Sequence, residues 1–376
     1  MTGISSGSRV VPFFNYQGAF LAQRDAFLET IGDVIRRGAY IQQKDLADFE
    51  AHLASYLGVR HAIGVGNATD GLLMLCRAAG LGPGDEVIFP SHTMVASAAA
   101  VALVGATPVP VDIGEDHLID PGAIEPAITP KTRAILPVQL NGRTCAMDTI
   151  IAIASRHHLV IIEDAAQALG SRYKGQFAGT FGIGGAFSFY PAKILGCLGD
   201  GGAVVTNDDE IARKVRLYRD HGRNPVSGEV ELWGMNSRLD NLQAALLDYQ
   251  FRDYQNTIER RRSLAALYQE GLEGVPGIGL PPGPSASSDH FDVFQNYEIE
   301  ADRRDDLRSY LSDRGVGTIM QWGGKAVHQF PALGLTQSLP RTERFFRRCL
   351  MLPLNLTLED EDVRYVCAMI RAFYRC

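Results

Sequence analysis

The chain has few of the features that mark secreted or nucleic-acid-binding proteins. Its 376 residues include six scattered cysteines with no CxxC pair, which predicts reduced thiols rather than a disulfide framework. It also has no excess of positive charge, since 36 lysines and arginines face 43 aspartates and glutamates, for a net charge of −7. This balance argues against nucleic acid or an anionic membrane as the main partner.

Long hydrophobic runs are missing as well. The most apolar stretch, residues 94–111, contains Gly105, Pro108 and Pro110, which would break a membrane-spanning helix. The start of the chain, MTGISSGSRVVPFF, has no basic residues followed by an apolar segment, so we expect no signal peptide. Together these absences predict a cytoplasmic protein without a membrane partner.

The motifs of several enzyme classes are also absent. The chain has no GxGxxG turn with a downstream acidic residue, which a nicotinamide oxidoreductase would need, and no GK[ST] phosphate loop. His157 and His158 are adjacent on a predicted helix without HExxH spacing. Because adjacent helical positions point to different faces, we expect a solvated pair and no metal site.

The sequence does show a regular alternation of strand and helix patterns. From Lys44 to about residue 240, apolar strands such as EVIFP and LVIIED alternate with amphipathic helices such as DLADFEAHLASYLG. This order is typical of an α/β domain with a mostly parallel sheet. One long helix or two abutting ones follow, then a proline-rich loop and a shorter pattern with strands at NYEIEA and TIMQW. We therefore predict a large α/β domain over residues 1–250 and a smaller α+β domain over residues 251–376.

The first candidate site is GVGNATDG, residues 64–71, between a predicted strand and a predicted helix. A helix N-terminus offers free backbone N–H groups and the positive end of the helix dipole, both of which suit a phosphate. A plain tight turn is the alternative interpretation, and the motif alone does not decide between the two.

The second candidate site is LVIIEDAAQALG. Its apolar strand carries Glu163 and Asp164 to the C-terminal end, where open α/β sheets bind their ligands. The alternative is a carboxylate that caps the following helix.

The third candidate site is GAFSFYPAKILGCLGDGGAVVTN, where Lys193 lies ahead of a cluster of glycines. Glycines let the backbone approach a bound group closely, and partial desolvation would make the lysine amine nucleophilic. A solvated loop lysine is the alternative. Pyridoxal phosphate needs a phosphate cup, an acid facing its pyridinium nitrogen and a Schiff-base lysine, and the three sites together match that inventory.

These segments resemble the sugar aminotransferases of the DegT/DnrJ/EryC1/StrS family, from about Phe13 to near the C-terminus. The densest matches are GNATDGLLM, GDEVIFPSHT, PKTRAILPVQLNG, IIEDAAQALGS, FSFYPAKILGCLGDGGAVVTND and GMNSRLDNLQAALL. The resemblance implies an aspartate aminotransferase-like fold (fold type I), pyridoxal 5'-phosphate as the cofactor, and a homodimer whose active sites are shared across the interface.

The resemblance also implies a role for individual residues. Lys193 would form the Schiff base and transfer the proton, and Asp164 would pair with the pyridinium nitrogen. Gln167 would lie near the phenolic oxygen of the cofactor ring. Asn236 would reach the phosphate of the other subunit's cofactor, with Arg238 as its rival and a helix cap as the alternative. The expected contacts to the phosphate within the subunit are Ser188 through its hydroxyl and Ala68 and Thr69 through their backbone N–H groups.

The chain departs from the family pattern at several positions. Met94 stands where an aromatic residue often stacks on the cofactor ring, so we expect looser stacking or a contribution from His92. Gln139, in QLNG, replaces a common histidine. Arg219, in RDHGR, and His328, in KAVHQF, are candidate contacts to the sugar or the diphosphate, with ordinary surface charge as the alternative.

The function implied is the transfer of an amino group from L-glutamate to a keto sugar linked to a nucleotide. The version NSRLDNLQAALL resembles members that act at C3 of dTDP- or UDP-linked 3-keto sugars, which favours that position. The same chemistry at C4 of a 4-keto sugar is the first alternative. A non-catalytic regulator that retains the cofactor is the second.

Overall fold

A computed structural model describes residues 9–376. Residues 1–8, which belong to the predicted first domain and to the segment expected to contain no signal peptide, lie outside the described residues. The helices, in chain order, are α1 (Tyr16–Ala22), α2 (Arg24–Arg37), α3 (Lys44–Leu57), α4 (Ala68–Ala78), α5 (Val95–Leu103), α6 (Pro121–Ile124), α7 (Met147–His157), α8 (Asp209–Arg219), α9 (Asn241–Phe251), α10 (Tyr254–Leu272), α11 (Arg304–Ser312), α12 (Pro340–Arg348) and α13 (Asp360–Tyr374).

The strands form one large sheet and two small ones. They are β1 (His61–Val65), β2 (Glu86–Pro90), β3 (Thr107–Val111), β4 (Thr132–Ile135), β5 (Val160–Asp164), β6 (Arg172–Tyr173), β7 (Gln176–Phe177), β8 (Gly184–Ser188), β9 (Gly202–Thr206), β10 (Ile278–Gly279), β11 (His290–Phe291), β12 (Tyr297–Ala301) and β13 (Cys349–Leu352). The large sheet has the order β1-β9-β8-β5-β4-β2-β3. Only β9 runs antiparallel to its neighbours in this sheet, which confirms the predicted mostly parallel arrangement.

The large sheet is buried on both faces because alternate residues of its strands enter different hydrophobic cores. In β9, Val204 packs with α4 and α8 on one face, whereas Ala203 and Val205 pack with α3 and α9 on the other. This two-sided burial explains the continuous apolar strands of the sequence. Since β1, β2, β5 and β8 run in the same direction, their C-terminal ends meet at one edge, and β9 starts there.

A further hydrophobic core, separate from the two that cover the large sheet, lies mainly in the C-terminal part of the chain. It is formed by α10, α11, α13 and the sheet β10-β12-β13. Val11 also packs in this core and forms a bridge with Val316. This part of the N-terminal segment therefore joins the C-terminal core rather than the cores that cover the large sheet. The boundary near residue 250 stays a prediction.

The sequence patterns of the C-terminal part were less reliable than those of the large sheet. The predicted strand TIMQW is wrong, since only Ile319 bridges Met351 and a 3₁₀ turn begins at Gln321. β12 pairs instead with β13 on one side and with the short β10 on the other, and the pattern predicted neither of these strands. The long helical segment breaks into α9 and α10, with Arg252 and Asp253 between them.

Within residues 9–376, none of the helices is long and apolar enough to cross a membrane. The same residues contain no group of three or more His, Cys, Asp or Glu side chains arranged to hold a metal ion. His157 Nε2 donates to Glu125 Oε1 at 3.1 Å, and His158 caps the C-terminus of α7 in the left-handed conformation.

Candidate active site

The C-terminal edge of the large sheet brings Asp164 and Lys193 together. Asp164 ends β5 beside Ala186 of β8, and the chain then leaves β8 through the turn that carries Lys193. Gln295 fixes this turn, because its side chain donates to Ala192 O at 2.8 Å and accepts from Ile194 N at 3.0 Å. The turn therefore holds the lysine next to the buried carboxylate rather than leaving it on a solvated loop.

Burial changes the proton affinity of both groups. Desolvation lowers the pKa of Lys193 to about 8, although the negative charge of Asp164 opposes this shift. Desolvation also raises the pKa of Asp164, while hydrogen bonds from Ser97 and the Ala166 N–H and the charge of Lys193 oppose the rise. Ser97 Oγ donates to Asp164 Oδ2 at 2.6 Å, so the carboxylate keeps a strong partner inside the protein.

Ser97 belongs to a short chain of hydroxyl groups that sequence reasoning did not identify. Thr93 Oγ1 lies 2.7 Å from Ser97 Oγ, and both residues are buried. The segment PSHTMVAS places the two hydroxyls four residues apart at the start of α5, where they share one face. That spacing is a visible signal, but only the fold shows that the face points at Asp164.

The N-terminus of α4 leaves the predicted phosphate donors free. Asn67 caps the helix by accepting from the Asp70 N–H at 2.8 Å, and its carbonyl accepts from the Gly71 N–H. The N–H groups of Ala68 and Thr69 have no partner among the described residues. They point out of a helix N-terminus at the edge where β1 ends, which suits an anion.

Ser188 lies beside this helix N-terminus. It ends β8 opposite Gly202 of β9. A Cβ on Gly202 would lie 2.7 Å from the Asn67 carbonyl carbon and 2.8 Å from the Ala68 nitrogen, so a glycine is needed for this close approach. The hydroxyl of Ser188 and the free N–H groups of Ala68 and Thr69 therefore share one corner of the site.

Gln167 lies against Lys193 and Ser188 in a small cavity at the same edge. Its Oε1 accepts from the Asn141 N–H at 2.8 Å and from Asn296 Nδ2 at 3.4 Å. These two bonds orient the amide so that its NH₂ group is the part left to meet a ligand.

Met94 is half-exposed immediately before α5, three residues ahead of Ser97. His92, the alternative for the stacking role, is placed differently. His92 is buried, its Nδ1 bonds His117 O at 2.8 Å, and its ring packs against Phe345 and Phe346. Met94 is therefore the side chain that this segment presents to the site.

Glu163, the other acidic residue of the second candidate site, has a structural role. Its fully buried carboxylate accepts from the N–H groups of Gly179, Phe181 and Gly182, and from Gln139 Nε2 at 2.7 Å. Gln139 is also fully buried. This departure from the family pattern changes a hydrogen bond behind the site rather than a ligand contact.

The side chains of the two predicted substrate contacts, Arg219 and His328, already form hydrogen bonds within the subunit. Arg219 is buried, with Nη1 at 2.5 Å from Glu50 Oε1 and 2.9 Å from Gly64 O. His328 is also buried, and its Nδ1 lies 2.7 Å from Ser91 Oγ. Neither side chain is free to meet a sugar in this conformation, so we do not carry these two assignments forward.

The two candidates for the contact to the partner's phosphate, Asn236 and Arg238, differ in whether their side chains are already hydrogen-bonded. Asn236 is exposed, and its side chain makes no hydrogen bond to a described residue. Arg238 Nη1 instead binds Asp220 Oδ1 at 2.8 Å. The free side chain of this pair is thus that of Asn236. It follows residues 221–235, a segment in which Val226 and Trp233 are almost completely exposed.

The residues at this edge fit pyridoxal phosphate. The free N–H groups of α4 and the Ser188 hydroxyl suit its phosphate, and buried Asp164 suits a protonated ring nitrogen. The desolvated amine of Lys193 suits a covalent bond to its aldehyde.

The comparisons with known proteins agree with this geometry. The model of the DegT/DnrJ/EryC1/StrS aminotransferase family matches residues 22–371. A dTDP-3-amino-3,4,6-trideoxy-alpha-D-glucose transaminase from Streptomyces venezuelae is 44% identical over 367 residues, which are 96% of this chain and 95% of the relative.

Solved structures show the same fold. DesV of S. venezuelae, in complex with a ketimine intermediate, has a TM-score of 0.93 and 44% identity, and the match covers 98% of this chain and 99% of DesV. NtdA of Bacillus subtilis, with bound cofactor PMP, has a TM-score of 0.87 and 31% identity, over 100% of this chain and 86% of NtdA. The predicted fold type I architecture is confirmed. The chain therefore belongs to the DegT/DnrJ/EryC1/StrS family and is an aminotransferase that depends on pyridoxal phosphate.

Proposed function

We propose that the protein transfers the amino group of L-glutamate to a keto sugar linked to a nucleoside diphosphate. The observation that carries this proposal is the desolvated Lys193 beside buried Asp164, at the same edge as the free N–H groups of α4. The dTDP-sugar transaminase that is 44% identical over nearly the whole chain supports the substrate class.

Individual residues of the chain have separate roles in the proposed reaction. Bound pyridoxal phosphate supplies an electron sink at the carbon that loses its proton. Asp164 holds a proton on the ring nitrogen, and Ser97 keeps that carboxylate in place. Lys193 would attach the cofactor through its amine and would then move a proton, and the pKa of about 8 of that amine is well matched to neutral conditions. Ala68, Thr69 and Ser188 would hold the phosphate, Gln167 would donate to the phenolic oxygen, and Met94 would cover the ring.

We favour amination at C3 of a dTDP- or UDP-linked 3-keto sugar. The segment NSRLDNLQAALL supports this position, and so does the printed name of the S. venezuelae relative, which is a 3-amino-sugar transaminase. In this chain Ser237 of that segment contacts the N-terminal region of α4, because its Oγ accepts from the Gly66 N–H at 3.1 Å and donates to Asp70 Oδ2 at 2.6 Å.

Incubation with paired substrates tests the proposal. The purified enzyme with L-glutamate is offered a 3-keto and a 4-keto deoxysugar on the same nucleotide, and the products are located by NMR. We expect an amino group at C3. Turnover of the 4-keto sugar alone would overturn the C3 assignment. Turnover of neither sugar by an enzyme that reacts with L-glutamate would overturn the substrate class.

We also propose a homodimer in which Asn236 contacts the phosphate held by the partner subunit. Its side chain is exposed and makes no hydrogen bond among residues 9–376, although its backbone forms an antiparallel bridge with Asp220. The side chains of Val226 and Trp233, in the segment 221–235 that precedes it, are exposed apolar surface that an interface would bury.

A further inference from the structure

A second cavity opens beside Lys193, on the side of the N-terminal segment. It has a volume of about 100 Å³ and is bounded by residues 13–16 and 191–194, by Arg261 of α10, by Gln295 and Asn296, and by side chains between residues 352 and 357. Its polar lining consists of amides, hydroxyls and two cationic residues, Lys193 and Arg261. No aspartate or glutamate lines it.

Arg261 is an unusual residue in this lining because it is a buried cation with no ion-pair partner among residues 9–376. Its side chain lies in α10 with 5% of its surface exposed. Nε donates to Phe294 O at 2.8 Å and Nη2 donates to Gln295 O at 2.7 Å, both of which are neutral acceptors. Nη1 makes no hydrogen bond to a described residue and is not sealed from solvent. A guanidinium buried in this way is costly unless an anion compensates for it.

The charge of Arg261 persists at neutral pH. Burial lowers the pKa of its guanidinium to about 10, and the nearby Tyr254 opposes that shift. Lys193, in contrast, gives its amine to the cofactor in the proposed function. The cavity of the working enzyme would therefore hold one permanent positive charge and no acidic side chain.

We propose that this cavity binds a carboxylate of the amino donor, with Arg261 Nη1 as the charged partner. The inference rests on the proposed function, which needs a dicarboxylate amino acid next to Lys193. The volume suits a carboxylate with a short alkyl chain, and a guanidinium presents N–H groups in the planar arrangement that a carboxylate accepts. The amide of Asn15, which also lines the cavity, is a neutral neighbour of that site.

Asn15 allows a test that leaves Arg261 in place. Its Oδ1 accepts from the Gly18 N–H at 2.9 Å and so caps α1, a role that an aspartate fills equally well. Asn15→Asp therefore adds a negative charge to the cavity with little change in shape, although it removes the hydrogen bond that Asn15 Nδ2 donates to Thr357 Oγ1 at 3.0 Å. Gln17→Glu is the matched control, since it adds the same charge to the exposed surface of α1 outside the cavity.

The probe is glutarate, which has two carboxylates and no amine, and calorimetry with the holoenzyme measures its binding. We expect Asn15→Asp to weaken glutarate binding at least about tenfold, because like charges a few ångströms apart repel strongly in a partly buried site. Gln17→Glu should bind as the wild type does. Arg261→Lys keeps the charge but loses the planar fork, and we expect it to weaken binding as well.

Each outcome bears on one of the two proposals. Equal glutarate binding by the wild type, Asn15→Asp and Arg261→Lys would overturn the carboxylate site. No glutarate binding by a wild type that still reacts with L-glutamate would overturn the site and leave the proposed function standing. Glutarate binding that depends on Asn15 and Arg261, in an enzyme that L-glutamate does not convert, would support the site and contradict the proposed donor.

Discussion

At the scale of single residues, Lys193 differs from the other lysines whose pKa departs from the usual range. Lys44 and Lys174 lie on the surface, and hydrogen bonds to aspartates raise their pKa values. Lys193 is instead desolvated, and its pKa falls to about 8. A lysine of this kind is partly neutral at physiological pH, which is the form that attacks an aldehyde.

The lowered pKa of Lys193 predicts the pH dependence of cofactor capture. The rate at which the cofactor-free protein forms its visible absorbance band with pyridoxal phosphate should rise with pH and level off above about 8, since the neutral amine is the nucleophile. Stopped-flow absorbance between pH 6 and 10 measures this rate. Lys193→Ala, which should form no such band, is the control. A rate that keeps rising up to pH 10 would mean that the pKa of Lys193 lies in the ordinary range for lysine, which would contradict this prediction.

At the scale of helices and strands, the part of the site that could be predicted depends on local chain order. Asp164, Ser188 and Lys193 lie at strand ends or in a glycine-rich turn, and such positions can be identified along the chain. Ser97 and Gln295 could not be identified in this way. Each contacts the site only because a distant element packs there, 67 residues from Asp164 for Ser97 and 103 residues from Ala192 for Gln295.

The same distinction explains the errors in the C-terminal part. Strands of the large sheet are buried on both faces and read as apolar runs, whereas TIMQW has such a run without a strand. The buried positions of Arg219 and His328 also depend on packing, because each is a polar residue whose partner, Glu50 or Ser91, lies far away in the chain. Nothing local in RDHGR or KAVHQF reveals those partners.

The contact between β9 and the N-terminus of α4 predicts the effect of a small substitution. Gly202→Ala would place a methyl group 2.7 Å from the Asn67 carbonyl carbon, so the helix N-terminus and the strand must separate. We expect a loss of about 1–3 kcal/mol in the free energy of unfolding and weaker cofactor binding. Thermal melts and cofactor titration measure the two effects.

Gly32→Ala is the matched control for this substitution. Gly32 lies inside α2 with no atom within 4 Å of an added Cβ, so its replacement should stabilise the helix by about 0.5–1 kcal/mol. If Gly202→Ala bound the cofactor as tightly as Gly32→Ala does, the phosphate would not lie at this corner.

At the scale of the whole molecule, the proposed sharing of sites predicts that two damaged variants repair each other. Lys193→Ala lacks the reactive amine, and Asn236→Ala lacks the group offered to the partner's phosphate. A hybrid dimer of the two has one site with both residues intact. Random exchange of equal amounts should therefore restore about a quarter of the wild-type activity.

Activity of each variant alone and of their mixture, after subunit exchange, measures this repair. Self-mixed samples of each variant serve as controls and should show no gain. Hybrid dimers that form, as verified with two affinity tags, but restore no activity would contradict the shared site. So would an Asn236→Ala variant that retains its cofactor as firmly as the wild type does.

The most direct test of the account as a whole is the absorbance spectrum of the purified protein before and after the addition of L-glutamate. The account predicts a visible band from the lysine-bound cofactor that falls as a shorter-wavelength band of its amino form rises, without any sugar present. A protein that stays colourless and unchanged after pyridoxal phosphate and L-glutamate are added would contradict the role of Lys193 and, with it, the proposed aminotransfer.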